Sequence, residues 1–251
     1  MNHSASLPSS RFVPALAAVP LWKRAIDLGC CLVALPVLAL CALVGVILMR
    51  FTSPGPLIFR QERVGHLGRR FWLYKFRTMH VCADSTSHQA HFAELVKSAV
   101  PMQKLDARGD ARLIAGGRLV RASGLDELPQ IINVLRGEMS LVGPRPCLPY
   151  EYALYTPEQR RRLESVPGLT GLWQVSGKNR TSFAQMVELD VAYAQRRSLV
   201  LDLKIMLLTG PVLVGQMLEA RSRRLSQVPP EQSAAPFPEA LLESGAEYQR
   251  F

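Results

Sequence analysis

Two adjacent carboxylates, Asp126 and Glu127, stand in the stretch "SGLDELPQ" among apolar and turn-forming residues. Burying a pair of acids is costly unless something uses the charge. Two uses fit the spacing. Pro129 is tolerated in a helix only within the first turn, so a helix starting at about Asp126 is expected. Ser123 and Asp126 match the Ser-x-x-Asp capping pattern, and acids there complement the helix dipole. The same position suits a nucleophile, because a helix start keeps an aspartate ionised and attracts phosphate. Carboxylates attack phosphoryl groups to give aspartyl phosphates. One acid would then attack while the other binds a metal or orients its neighbour. Taken alone, the dipeptide favours the cap.

The cations point toward an anionic ligand. "YKFRTM" places Lys75 and Arg77 two apart, hence on one face if the segment is a strand. Arg121 lies five residues before Asp126. In "GPRP", Arg145 stands between Pro144 and Pro146, whose rings stiffen the backbone and remove two donors. A guanidinium on a stiff loop suits bidentate phosphate contact or stacking on a base. Each cation alone is more often a surface charge. No Walker motif, Gly-x-Gly-x-x-Gly or Gly-x-Ser-x-Gly is present, which weighs against the common nucleotide folds and serine hydrolases.

The positioning elements follow from patterning. "LIFRQERVG" and "RRFWLYKFRTM" alternate apolar and polar residues, predicting two short strands or a hairpin around "GHLG". Residues 83–105 look helical. His88 and His91 there lack a third metal ligand and read as a solvated face. A helix over 126–136 is ended by Gly137, and 157–165 is a charged helix. "VPGLTGLWQVSGKNR" reads as glycine-punctuated loop and strand, and 182–197 as helix. Residues 199–218 are apolar but carry Asp202 and Lys204, then break at Gly210-Pro211. They read as a poor span and a better interfacial helix or helix pair, against the plainer reading of a core helix.

With 251 residues and a net charge of +10, the chain can bury a sizeable core and favours a polyanionic partner. Five cysteines without CxxC spacing suggest neither zinc nor a disulfide framework, and a reducing compartment fits. The uncharged run 28–49 is long enough, at roughly 1.5 Å per residue, to cross a bilayer of about 30 Å. Pro36 interrupts it, and both flanks are basic: Lys23 and Arg24 before, Arg50, Arg60, Arg63, Arg69 and Arg70 after. Cations mark the cytoplasmic side, so a hairpin that turns near Pro36 competes closely with a kinked span. The expected organisation is a flexible lead (1–20), a membrane element (21–50), a main domain with interfacial helices (51–220) and a disordered tail (221–251). The fold class is α/β, mostly helical, with a few short strands.

The chain resembles the monotopic bacterial sugar transferases, the polyprenyl-phosphate phosphoglycosyl transferases. The resemblance rests on "KRAIDL", "SPGPLIFRQERVG", "YKFRTM", "LDELPQIINVLRGEMSLVGPRP", "VPGLTGLWQVSGKNR" and "LDLKIMLLT", in the family's order from Lys23 to Thr209. It implies transfer of a sugar 1-phosphate from a UDP-sugar to undecaprenyl phosphate, with UMP leaving, as the priming step of exopolysaccharide or surface glycan synthesis. It further implies a re-entrant membrane helix broken at a proline, which favours the hairpin, and a domain on the cytoplasmic face of the inner membrane. Asp126 would be the nucleophile, forming a phosphosugar-aspartyl intermediate. Glu127 would help hold Mg²⁺ on the diphosphate. Lys75 and Arg121 would bind phosphate, and Arg77 beside them is a further substrate-binding candidate. Pro144, Arg145 and Pro146 would recognise the uridine nucleotide, and Asp190 would be an acid near the site.

The expected partners are the two substrates and anionic membrane lipid, without nucleic acid; a homodimer is compatible. Leu35 stands where serine is common, Arg197 where tryptophan is, and Gly124 where a larger residue is, which would loosen the turn before Asp126. Two other classes remain on the residues alone: a non-catalytic membrane adaptor with a basic face, and a transferase moving only the sugar. No residue reads the sugar's hydroxyls or an N-acetyl group, so glucose, galactose and N-acetylated sugars all stay open.

Overall fold

Lys23 and Asp27 begin a row of inward-facing residues on the first helix, and that row decides how the helix lies. The computed structural model describes residues 19–52, 55–80, 92, 94–96, 101, 113–114, 117–177 and 180–225. Helix α1 spans Leu21–Thr52. Lys23, Asp27 and Cys31 are buried at steps of four, and Ala34, Leu35 and Leu38 continue the row against Leu73, Ile131, Val134 and Met139. This spacing is one face of a 3.6-residue helix. The opposite face exposes Leu32, Val33, Val37, Leu40, Leu43 and Val44. The helical backbone continues through Pro36, where a turn was expected. A proline removes one ladder bond and crowds residue 32, yet packing on both sides of it, at Cys31 and Leu38, holds both halves to the domain.

Strands β1 (Ile58–Val64) and β2 (Arg70–Phe76) form the expected antiparallel hairpin, with Val64 opposite Arg70 and Ile58 opposite Phe76. The turn at Gly65–Gly68 is a single 3₁₀ turn. The free edge of β2 is closed by Asn133, which is fully buried. Its Nδ2 donates to the Trp72 carbonyl at 2.7 Å, and its Oδ1 accepts from the Tyr74 amide at 3.2 Å.

Helix α2 (Gly117–Ser123) leads into a 3₁₀ turn (Leu125–Gln130) and then α3 (Ile131–Leu135). The single helix expected over 126–136 is therefore split, because Pro129 cannot donate into a longer ladder. Gly137 follows in the left-handed region at φ 77°, as a helix stop requires. Strand β3 (Ser140–Val142) pairs parallel with β4 (Gly168–Thr170). Between them lie α4 (Pro149–Leu154), α5 (Pro157–Arg160) and a 3₁₀ turn (Arg161–Glu164). A short helix α6 (Leu172–Val175) stands where loop was expected. Helix α7 (Phe183–Arg196) starts at Ser182, whose side chain accepts from the Gln185 amide. Helix α8 (Leu199–Leu225) runs through Gly210-Pro211 without the expected break and continues past residue 220. Of the helix expected over 83–105, residues 92 and 94–96 are helical; His88 and His91 lie outside the described residues.

The basic flank before the apolar run turns inward. Lys23 Nζ forms an ion pair with Asp202 of α8 and donates to the Tyr193 hydroxyl at 3.1 Å. Tyr193 in turn donates to Asp202 Oδ1 at 2.8 Å. Arg24 Nη2 donates to the Leu135 carbonyl at 2.7 Å, closing the C-terminus of α3. Asp27 Oδ1 accepts from the Leu141 amide at 2.9 Å and the Ser140 hydroxyl at 3.0 Å. These charges thus dock α1 onto the domain, and Lys23 leaves the surface charge that the membrane argument counted. Two helices, Leu21–Gly45 and Leu199–Glu219, are long and apolar enough to cross a membrane. The described cysteines, Cys30, Cys31, Cys41 and Cys147, are free thiols.

Breaking a buried ion pair by deleting one partner strands the other charge, at about 3–5 kcal/mol. Asp202→Ala should therefore melt well below the parent in detergent. The double change Lys23→Met, Asp202→Leu should recover most of that loss. Equal melting of Asp202→Ala and the parent would remove this pair from the account of the fold.

Candidate active site

The carboxylate pair sits on the 3₁₀ turn Leu125–Gln130, packed against β2. Gly124 enters this turn at φ 74°, a region that favours glycine. The glycine therefore fits the turn rather than loosening it. The expected Ser123–Asp126 capping box is not formed. Ser123 Oγ donates to the Val120 carbonyl at 2.9 Å and accepts from the Leu125 amide at 3.4 Å, not from Asp126. The acids are therefore not held by the capping box that the dipeptide alone suggested. Asp126 is only 7% exposed. Glu127 is more open, and its Oε1 accepts from Lys75 Nζ at 2.8 Å.

Glu127 and Lys75 line a cleft together with Arg63, Leu73, Gln130, Arg145, Pro146, Gly168, Leu169 and Gln174. Lys75 and Leu73 reach it because alternate residues of β2 share a face. Arg77 lies beyond the end of β2. Its Nε donates to the Pro56 carbonyl at 2.8 Å, and it is buried outside the cleft wall. Arg121 stays half-buried on α2, also outside that wall. Asp126, next to Glu127 in the chain, is not among the residues that line the cleft.

The Pro144–Pro146 loop is held by its carbonyls, one donor to each. The Gly168 amide donates to Pro144 at 2.9 Å, Arg162 Nη2 to Arg145 at 3.2 Å and Arg63 Nη1 to Pro146 at 3.2 Å. A loop whose acceptors are all engaged holds its side chain in place. Three glycines permit the close packing. A Cβ on Gly143 would fall 2.2 Å from the Val166 carbonyl oxygen, on Gly168 2.1 Å from the Gly143 nitrogen, and on Gly171 2.2 Å from the Gly143 oxygen.

Asp190 does not reach the cleft. It is 1% exposed and pairs through Oδ2 with Arg162, at 2.5 Å to Nη2 and 3.0 Å to Nε. Arg162 also donates to the Tyr155 hydroxyl at 2.9 Å. Burial raises the Asp190 carboxyl above its ordinary range, against the pull of Arg162. Burial works against the Arg162 charge, yet Tyr155 and Asp190 outweigh it and raise that group. Asp190 therefore acts on the cleft through Arg162 and the Arg145 carbonyl. Arg63 is buried beside a second cation, and desolvation, then Arg145, push it down to about 10. Burial pushes the Cys147 thiol up to about 11.

Sequence reading missed three contributors. Arg63 was read as a flanking charge, Arg162 as one charge of a solvated helix, and Gln174 not at all. Among the described residues no cluster of three His, Cys, Asp or Glu could hold a metal. The adjacent Asp126 and Glu127 carboxylates are hard oxygen donors. They suit Mg²⁺ where phosphate oxygens and water complete the shell.

Comparison with known proteins gives the family. Residues 18–216 match the family described as bacterial sugar transferase. The chain is 41% identical over 195 residues to the galactosyl transferase CpsE of Streptococcus agalactiae, covering 76% of this chain and 42% of that one. It is 37% identical over 191 residues to the exopolysaccharide production protein ExoY of Sinorhizobium fredii, covering 76% and 84%. It is 38% identical over 205 residues to the UDP-glucose:undecaprenyl-phosphate glucose-1-phosphate transferase of Caulobacter vibrioides, covering 78% and 71%.

Two glycine substitutions test the loop clamp. Gly168→Ala drives a methyl into the Gly143 backbone and should destabilise the fold by at least about 1–3 kcal/mol. Gly210→Ala, with open space around it, should be neutral or raise stability by up to about 1 kcal/mol. Thermal melting of both variants reads the contrast, and a neutral Gly168→Ala would contradict the tight junction.

Proposed function

Because the chain belongs to the bacterial sugar transferase family, we propose that it moves a sugar 1-phosphate from a UDP-sugar to undecaprenyl phosphate, releasing UMP. The observation that carries this reading is the cleft itself. Glu127, paired with Lys75 at 2.8 Å and next to Asp126 in the chain, marks one part of its wall, and the clamped Arg145 loop marks another. A diphosphate flanked by a sugar and a nucleoside matches that distribution of charge. The name of the Caulobacter vibrioides relative supports the lipid acceptor, and that of ExoY supports a priming role in exopolysaccharide production.

In the first step, an Asp126 carboxylate oxygen attacks the phosphorus that carries the sugar. The bond from that phosphorus to the bridging oxygen breaks, and UMP leaves with the electron pair. In the second step, an oxygen of the lipid phosphate attacks the same phosphorus and the Asp126 carboxylate leaves. Asp126 is nearly shielded from water, so little hydration must be shed before attack. Lys75 and Arg145 offset the charge on the phosphates, with Arg121 on the nearby helix as a further phosphate contact. Glu127 would hold Mg²⁺, which neutralises diphosphate charge when bound. Pro144 and Pro146 keep Arg145 directed at the uridine nucleotide. Asp190 positions that loop through Arg162.

The membrane arrangement belongs to the same proposal. Helix α1 enters from the cytoplasmic side and returns to it, with α8 lying in the interface. Both ends of α1 support this. Lys23 is buried against the domain, and Gly45, about 33 Å further along the helix, meets Leu57 just before β1. A helix crossing the bilayer would carry Gly45 away from the domain. The apolar outer faces of α1 and α8 would meet acyl chains, and the basic domain would meet anionic headgroups.

Asp126→Asn should abolish UMP release from UDP-sugars in the presence of undecaprenyl phosphate; near-normal turnover would remove Asp126 as the nucleophile. Release of UDP would identify transfer of the sugar alone. For the membrane path, single cysteines at Leu21 and Leu67, both exposed, should label from the same side of sealed vesicles. Labelling from opposite sides would establish a span.

A further inference from the structure

Two residues of the cleft wall each carry a buried polar atom with no hydrogen-bond partner among the described residues: Oε1 of Gln174 and Nε of Arg63. Arg63 is 6% exposed, and its other nitrogens are engaged. Nη1 donates to the Pro146 carbonyl and Nη2 to Gln61 Oε1 at 2.7 Å. An unmatched acceptor and an unmatched donor in one wall call for a ligand that supplies the converse of each. A phosphate offers acceptors to Arg63 and nothing to Gln174. The imide edge of uracil carries an N3–H between two carbonyl oxygens, and so offers the converse of each atom.

We propose that Gln174 is a specificity-determining residue for the uracil ring, its Oε1 accepting from N3–H while Arg63 Nε donates to a flanking carbonyl. The proposal rests on the reading above that the donor is a UDP-sugar. The backbone supports it. Helix α6 begins directly after Gly171, which packs on the Gly143 carbonyl, so Gln174 and the Arg145 loop share one rigid junction. The neighbouring Trp173 is buried, and its Nε1 donates to Thr181 Oγ1 at 2.6 Å, which keeps α6 from turning. Cytosine has no N3–H. In the amide orientation seen here, its bare N3 would face Oε1, acceptor against acceptor. A site built around a substrate N–H rejects an analogue lacking it because a buried group is then left unpaired.

The test is calorimetric titration of the full-length protein with UMP, CMP and N3-methyl-UMP. The parent should bind UMP more tightly than the other two. Gln174→Ala should lose about ten- to a hundredfold in UMP affinity while N3-methyl-UMP changes little, closing the gap between them. Gln174→Glu keeps acceptor oxygens at the same reach and should retain the preference for UMP over N3-methyl-UMP. Equal weakening of both ligands by Gln174→Ala, or loss of preference in Gln174→Glu, overturns the proposal, as does a parent indifferent to N3 methylation. A parallel assay of UMP release by the parent separates the two readings. Release without an N3 preference overturns this inference alone; no release from any UDP-sugar overturns the proposed function and this inference with it.

Discussion

Lys23 and Asp202 meet where almost no water reaches, each within the opening turns of a long apolar helix. Two charges removed from water are stable only if they satisfy each other and their remaining hydrogen bonds. Tyr193 completes that set, accepting from Lys23, donating to Asp202 and lying 3.1 Å from the Val142 carbonyl. The cluster therefore fixes where α1 and α8 begin relative to each other. It also fixes both relative to β3, whose last residue is Val142. Because Gly143 follows at once, the constraint on the apolar helices is passed directly to the Arg145 loop. Hydrophobic packing alone would allow these helices to slide; a pair of buried charges specifies one register.

The loop after β3 uses a second set of buried charges. Arg162 and Arg63 are each buried and each spends one donor on a loop carbonyl, while the Gly168 amide takes the third. Burial works against both charges, and the Arg145 guanidinium adds repulsion for Arg63. Asp190 offsets the cost for Arg162. Among the described residues no carboxylate forms an ion pair with Arg63, and burial, then Arg145, lower its pKa. A cleft that concentrates positive charge in this way is energetically unsatisfied without an anion, which is the property a site for diphosphates needs.

How much of this was legible beforehand depended on whether a residue's role was local. The hairpin was legible because alternation and "GHLG" lie within one short segment. The start of α7 was legible because Ser182 and Gln185 cap each other. Gly137 announced its own turn. Acid pair and "GPRP" loop stood out by composition, and Lys75 by strand periodicity. Roles made by distant contacts were hidden. Arg162 is the last of three consecutive arginines in "RRRLE", and nothing nearby distinguishes it from Arg160 or Arg161. Its burial is set by Asp190, 28 residues away. Lys23 read as a membrane flank because its partner lies 179 residues on. The cap at Ser123 failed for a local reason that propensity does not capture. Gly124 turns left-handed, the acids enter a 3₁₀ turn, and Ser123 closes on Val120 instead.

That failure bears on the chemistry. Had Ser123 and Asp126 formed a capping box, the aspartate would have been committed to the backbone and held at the end of an α-helix. In a short 3₁₀ turn between α2 and α3, the acids are instead set by the packing of that turn on β2 and by Lys75. The strand that carries Lys75 is closed on its far edge by Asn133 of α3, which follows the turn directly. Strand, turn and helix therefore form a closed unit in which neither the acids nor their cation can shift alone. Because α3 is also gripped by Arg24 of α1, the same unit is tied to the apolar helix. On the proposed reading, the height of the carboxylates relative to a lipid surface would follow from how deeply α1 lies, and a lipid phosphate and a soluble diphosphate would meet at one pair of acids.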